Sequence, residues 1–327
     1  MTLTDTFNRT INYLRLSVTD RCNLRCQYCV PRNLPAVGGT RDALSFDDLF
    51  RLARISVGLG IRKVRVTGGE PLVRPGIVEF LERVSRIEAQ PQVVLTTNGM
   101  MLKKLAVPLR EAGVRRLNIS LDSLKTETFA SVTGGGDVKM VLDGIDAAQK
   151  AGFPPPQINM VVLRGINEQE IPDFARFAVE RGLNVRFIEY MPVSGDAGWR
   201  AHFMPSSEVL EMIGREHRLT PVKSMDGAGP ARYHLLGDGP GMVGVISPIS
   251  EHFCSQCNRI RISSDGMARG CLLREDTTDL KPFLASSDEA VREILTTIIL
   301  HKPERHNVTE AESRTGQGWV PMSAIGG

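Results

Sequence analysis

Six times along the first two-thirds of this 327-residue chain, a short β-branched run is followed by a segment of helical apolar spacing. That alternation leaves few folds open. The candidate strands are Tyr13–Val18, Lys63–Thr67, Val93–Thr97, Arg116–Ser120, Gln157–Leu163 and Val185–Tyr190. Helical periodicity falls on Phe46–Gly58, Ile77–Arg86, Met100–Glu111, Val138–Ala151, Gln169–Arg181 and Ser206–Glu216. Gly60, Gly113, Gly152 and Gly182 stand where helix gives way to strand, the usual place of a helix-capping glycine. Alternating strands and helices imply a parallel sheet with right-handed crossovers. Six units are too few for a closed eight-fold barrel. The expected class is therefore α/β, an incomplete (β/α)6 TIM-type barrel, with an open doubly wound sheet as the alternative.

The pattern lapses after Leu219. Lys223–Gly241 is rich in Gly, Pro and Asp and reads as a loop. Short strands are expected at Gly244–Ser247, Arg259–Ser263 and Met267–Cys271, and a helix at Asp288–Leu300. A polar stretch from Lys302 ends in Ile325-Gly326-Gly327. The expected division is residues 1–225 for the partial barrel and 226–327 for a smaller C-terminal region.

Charge and hydropathy exclude some partners. Lys+Arg 40 against Asp+Glu 37 leaves +3, which gives no reason to expect nucleic acid. No apolar run reaches membrane-spanning length, and Met1 to Asn12 is too polar for a signal peptide. A cytoplasmic chain is expected, with reduced thiols and no membrane partner.

All six cysteines fall into two triplets, Cys22-Cys26-Cys29 and Cys254-Cys257-Cys271, spaced C-x3-C-x2-C and C-x2-C-x13-C. Thiolates are the ligands of [4Fe–4S] clusters, and three of them leave one iron open. An open metal position is a place for chemistry. No His or Asp is spaced to complete a zinc site at the first triplet. At the second, His252 keeps a Cys3His zinc site in play beside the cluster reading. Arg259 and Arg261 share one face of an extended segment there. Two guanidiniums suit a polyphosphate, unless the face is simply solvated.

C-x3-C-x2-C with Tyr28 inside it, after the first strand, resembles the radical S-adenosylmethionine (SAM) superfamily. Thr67-Gly68-Gly69-Glu70-Pro71 looks like that superfamily's GGEP motif. The resemblance implies that SAM chelates the open iron of the first cluster and is cleaved by one electron to a 5′-deoxyadenosyl radical. It also implies SAM contacts from Tyr28, Gly69, Glu70, Ser120 and Met191.

The match narrows on Leu14 to Cys22, on Cys254-Ser255-Gln256-Cys257-Asn258-Arg259-Ile260-Arg261, on Cys271 and on the terminal glycines. Together these resemble the branch that cyclises GTP at the start of molybdenum-cofactor biosynthesis, over essentially the whole chain. That resemblance implies two [4Fe–4S] clusters, the second holding the guanine. It implies abstraction of the ribose C3′ hydrogen and formation of (8S)-3′,8-cyclo-7,8-dihydroguanosine 5′-triphosphate. GTP contacts would come from Arg15, Arg65, Thr96, Arg164, Arg186, Arg259, Ile260 and Arg261. Arg259, Arg261 and a tail ending in Gly326 and Gly327 would serve the reaction. Arg164 stands where bacterial relatives often carry lysine. The same resemblance implies an unidentified electron donor, transfer of product to a cyclic pyranopterin monophosphate synthase, and a monomer or homodimer.

Overall fold

The computed structural model describes residues 3–29, 43–191, 198–222, 229–237, 239–274, 276–306 and 322. Six parallel strands form its centre: β1 (Tyr13–Ser17), β2 (Lys63–Thr67), β3 (Gln92–Thr97), β4 (Arg116–Ser120), β5 (Gln157–Val162) and β6 (Asn184–Glu189). The connections carry α1 (Phe46–Gly58), α2 (Ile77–Ser85), α3 (Leu102–Glu111), α4 (Thr126–Thr133), α5 (Val138–Lys150) and α6 (Ile171–Arg181). Ser45 caps α1 by accepting from the Asp48 N–H at 3.0 Å. Gly182 closes α6 at φ 60°, and Gly60, Gly113 and Gly152 also have positive φ. The four interruptions read from the sequence are thus left-handed stops between helix and strand.

The remaining elements are α7 (Trp199–His202), α8 (Ser206–Gly214), β7 (Leu219–Pro221), β8 (Arg232–Leu236), β9 (Met242–Ile246), β10 (Arg259–Ile262), β11 (Met267–Arg269), β12 (Thr278–Asp279), α9 (Lys281–Leu284) and α10 (Asp288–Leu300). β8 lies in the stretch expected to be loop. Its burial does not alternate, Tyr233 and Leu236 being buried and Arg232 and Leu235 exposed, so no two-residue period marks it within its glycine-rich surroundings. α4 went unread because it spans 8 residues and ends at Gly134.

All twelve strands belong to one sheet, in the order β12-β11-β10-β1-β2-β3-β4-β5-β6-β9-β8-β7. The order from β1 to β6 never reverses, so there is no switch point of the kind a doubly wound sheet requires. Among the described residues the ends of the row do not pair, and the sheet is a barrel left open. The late part of the chain extends both edges of the early part. β10 pairs with β1 and β9 pairs with β6, both in parallel.

Candidate active site

Strand periodicity builds the site. Leu14, Leu16, Val64, Val66, Leu117 and Ile119 are buried in one core with helix residues such as Leu49, Leu52, Phe80 and Leu81. Their alternates Arg15, Arg65, Asn118 and Ser120 face the other way. With Thr96, Asn159 and Arg186 they line a single cavity, and all six cysteines line it too.

The first triplet occupies the loop after β1. That loop is held by the end of β2: Gly69 N–H donates to Thr19 O at 2.7 Å, and Glu70 N–H to Arg21 O at 2.8 Å. A Cβ on Gly68 would stand 2.4 Å from Thr19 O, and one on Gly69 would stand 2.3 Å from Arg21 O. The paired glycines are therefore required by the cysteine loop's own backbone. The loop's far side rests on α4, where Arg25 and Gln27 N–H donate to Thr133 O and Val132 O at 2.8 and 2.9 Å.

Glu70 is fully buried and does not line the cavity. Its carboxylate accepts from Leu72 N–H (3.0 Å), Thr97 Oγ1 (2.8 Å) and Asn98 N–H (2.6 Å). Burial raises its pKa to about 7 against the pull of those bonds. It ties the ends of β2 and β3 together. Tyr28 lines the cavity and donates its hydroxyl to Asp122 Oδ2 at 2.8 Å. Burial raises Asp122 to about 6. Burial also pushes the Cys26 thiol well up, and nearby Asp122 adds to this; Cys22 is raised by burial as well.

The second triplet surrounds the start of β10. Cys254 opens a 3-10 turn, Cys257 precedes β10, and Cys271 follows β11. Burial pushes Cys257 up, but the charges of Arg259, Lys302 and Arg261 outweigh it and bring the thiol down to about 6. Among the described residues, the trio of ligand atoms lying within 4.8 Å of one another is His252, Cys254 and His306. Neither cysteine triplet is drawn in that tightly. A lone zinc ion needs its sulfurs that close, whereas a four-iron cube stands between its ligands. His252 Nδ1 faces His306 Nε2 at 2.9 Å rather than closing a Cys3His set. The donor sets therefore fit clusters.

Between the triplets lies a row of like charges. The register places Arg15 beside Arg261 on one side and Arg65 on the other. Burial, then Arg261 and Arg65, push the Arg15 pKa well down. Burial, then Arg259, bring Arg261 to about 10. The Nε atoms of Arg65 and Arg261 are buried with no hydrogen-bond partner among the described residues. With its amide oxygen turned inward, Asn118 accepts from Arg65 Nη2 at 3.0 Å and Arg186 Nη2 at 2.5 Å. Arg186 Nε also donates to Asn159 Oδ1 at 2.8 Å. Asp122 is the lone carboxylate among the described lining residues. Adjacent like charges on a sheet are destabilising, so the row is built for an anion.

The structure gathers Arg15, Arg65, Thr96, Arg186, Arg259 and Arg261 in the cavity, together with Gly69, Ser120 and Met191, expected on the SAM side. Ile260 turns the other way and packs in the core. Arg164 lies outside the lining, bonded twice to Glu208 at 2.9 and 2.7 Å. Gly326 and Gly327 lie outside the described residues. Met322 from the same tail lines the cavity, and its N–H donates to Cys29 O at 3.3 Å. Sequence reading passed over Lys63, Arg116, Asn118 and Gln157, which also line it. Period-two spacing from Arg65 and Ser120 would have put the first three on the cavity face.

Comparison with known proteins gives a consistent result. The radical SAM superfamily model matches residues 16–178, and the molybdenum cofactor synthesis C-terminal model matches residues 183–308. A GTP 3′,8-cyclase of Geobacter sulfurreducens is 50% identical, with 100% of each chain covered. One from Alkaliphilus oremlandii is 41% identical over 99% of each. Among solved structures, Streptococcus suis SuiB bound to its precursor peptide superposes with a TM-score of 0.65. That match has 16% identity and covers 97% of this chain and 77% of SuiB, a likeness of fold.

Proposed function

The chain belongs to the GTP 3′,8-cyclase family of the radical SAM superfamily, and from that premise we propose how its one cavity divides the work. The reaction is the conversion of GTP to its 3′,8-cyclised dihydro product, the first step of molybdenum-cofactor biosynthesis, with SAM and two [4Fe–4S] clusters. When bound, the first cluster and SAM supply a 5′-deoxyadenosyl radical for the ribose C3′ hydrogen.

The rest is positioning by the chain. Cys22, Cys26 and Cys29 hold the SAM-side cluster, and Cys254, Cys257 and Cys271 the substrate-side cluster. Tyr28, Gly69, Ser120 and Met191 form the SAM side of the cavity. Glu70 acts on SAM indirectly, by fixing the loop that carries Gly69. Arg15, Arg65, Arg186, Arg259 and Arg261 receive the triphosphate, and Thr96 stands beside Arg65 at 3.4 Å. Ile260 contributes backbone alone. Arg164 reaches GTP by releasing Glu208. Gly326 and Gly327 complete the cavity from the tail, a reading supported by Met322 against Cys29. Residues 1–225 are the SAM-cleaving part and 226–327 the part that holds the base. Holding a bound pair in reacting geometry supplies much of the rate in chemistry of this kind.

The observation that carries the reading is the Arg261–Arg15–Arg65 row, set in one cavity with both cysteine triplets. The reading extends to a cytoplasmic monomer or homodimer that takes electrons from a separate donor. Its product passes to a cyclic pyranopterin monophosphate synthase, with no membrane or nucleic-acid partner. Anaerobic incubation with SAM, dithionite and GTP tests the core of it. 5′-Deoxyadenosine and a cyclised nucleotide are expected together; absence of both overturns it.

A further inference from the structure

The second triplet is backed by a segment that no part of the reaction has yet used. After α10 the chain runs through Lys302-Pro303-Glu304-Arg305-His306. Lys302 is 3% exposed and His306 8%. Lys302 Nζ donates to Gly270 O, next to Cys271, and its charge acts on the Cys257 thiol. The His306 backbone N–H donates to the Cys254 thiol. One short strap therefore acts on all three arms of the triplet.

A single arginine from the other end of the chain fixes that strap. Arg9 is 6% exposed. Its Nη1 donates to Glu304 O and Cys254 O, both at 2.9 Å. Its Nη2 donates to Pro303 O at 2.7 Å and Lys302 O at 3.5 Å. Its Nε pairs with buried Asp5 at 2.6 Å. Three successive strap carbonyls and the carbonyl of a cysteine ligand thus converge on one guanidinium, whose planar fork holds its donors in fixed directions.

We propose that Arg9 and Lys302 are positioning residues for the substrate-side cluster: Arg9 staples the 302–306 strap to the Cys254 loop, and Lys302 directs its ammonium charge at Cys257 and the Cys271 arm. The proposal rests on the reading that this triplet holds a [4Fe–4S] cluster. Partners behind a metal's ligands set their orientation, and hydrogen bonds to cluster sulfurs set its potential. A cation beside a cluster favours the reduced, more negative state. Removing it moves the potential downward.

The test uses full-length protein reconstituted anaerobically, with metal content, electron paramagnetic resonance and a redox titration of each cluster. Wild type is expected to hold about eight irons, two cubes of four. Lys302→Met is expected to keep its iron while the second cluster's potential shifts to more negative values and the first cluster's stays in place. Arg9→Lys, which keeps the charge but loses the fork, is expected to speed amide exchange at 302–306 and to speed iron loss to a chelator from the second cluster alone. Wild type with about four irons would overturn the cluster reading itself, and the proposal with it. Eight irons with an unshifted second cluster in Lys302→Met, or unchanged exchange and iron loss in Arg9→Lys, would overturn this proposal and leave the cluster reading standing.

Discussion

The two cysteine triplets present the same ligand in different surroundings, and the difference lies at Cys257, since burial raises Cys254 as it raises Cys22 and Cys26. Cys26 lies half-buried near the Asp122 carboxylate and the more exposed Cys22 lies near Glu70, and both thiols are pushed up, chiefly by desolvation. Cys257 lies among Arg259, Lys302 and Arg261, and its thiol comes down to about 6. The first site is thus furnished for a ligand that brings its own positive charge, as a sulfonium does. The second borders the arginine row, whose positive charge suits the triphosphate end of the same substrate. Ligand type alone would not have separated them; the neighbours do.

The sharpest way to break this comparison is to remove one thiol from each site. Cys26→Ala should abolish both 5′-deoxyadenosine and cyclised nucleotide. Cys257→Ala should abolish the nucleotide, by more than the roughly 100-fold that loss of an outer-shell partner costs, and leave uncoupled SAM cleavage. Chromatography of both products decides it, and equal loss of both products in Cys257→Ala would erase the distinction. A second test needs no metal. At pH 7 in cluster-free protein, a thiol with a pKa of about 6 is about ten parts thiolate to one part thiol, while one raised above 9 is under about 1% thiolate. Iodoacetamide mass spectrometry should therefore label Cys257 at least ~50-fold faster than Cys26. The absolute rate at Cys257 should fall as pH drops below 6, while its advantage over Cys26 should fade only as pH rises past 9; similar rates at pH 7 would contradict the contrast.

Arg261→Met probes the charge row itself. Loss of a charge-assisted bond costs about 1.5–3 kcal/mol, so KM for GTP should rise roughly 10- to 100-fold. The ligand-free protein should melt no lower, because a buried like-charge contact goes with it. A fall in both binding and melting temperature would recast Arg261 as a scaffold residue. The smallest expected effect is at the first site. Gly69→Ala, with 2.3 Å to the Arg21 carbonyl, should destabilise the chain by about 1–3 kcal/mol in urea titration. It should also weaken SAM affinity more than GTP affinity.

Local signals were the legible ones. β2 and β4 have the bounds read from the sequence, and the four capping glycines have the positive φ their places called for. The first triplet announces itself by spacing, whereas the second is read from its neighbouring arginines and the family resemblance. What stayed hidden depends on pairing between distant residues. Nothing in the sequence brings Arg261 beside Arg15; the β10–β1 register does. Arg164 sits just beyond the end of β5, whereas Arg15, Arg65 and Arg186 lie inside their strands, and Glu208 holds it elsewhere. Lys63 and Gln157 begin their strands, and the cavity runs down to them.

The partnership of β1 with β10 also dictates a timetable. The first strand to be made cannot complete its pairing on that edge until the residues near 260 have been synthesised. At ordinary elongation rates that leaves an unpaired strand edge for roughly 10–50 s. Contacts this far apart in sequence slow folding, and an open edge invites pairing with other chains. The loop of the first triplet is braced within residues 19–133, so its scaffold can form during translation. The second triplet needs Arg9 and residues 302–304 at once, so its scaffold closes only when the chain is nearly complete. The scaffolds of the two cysteine triplets thereby become complete at different points of synthesis.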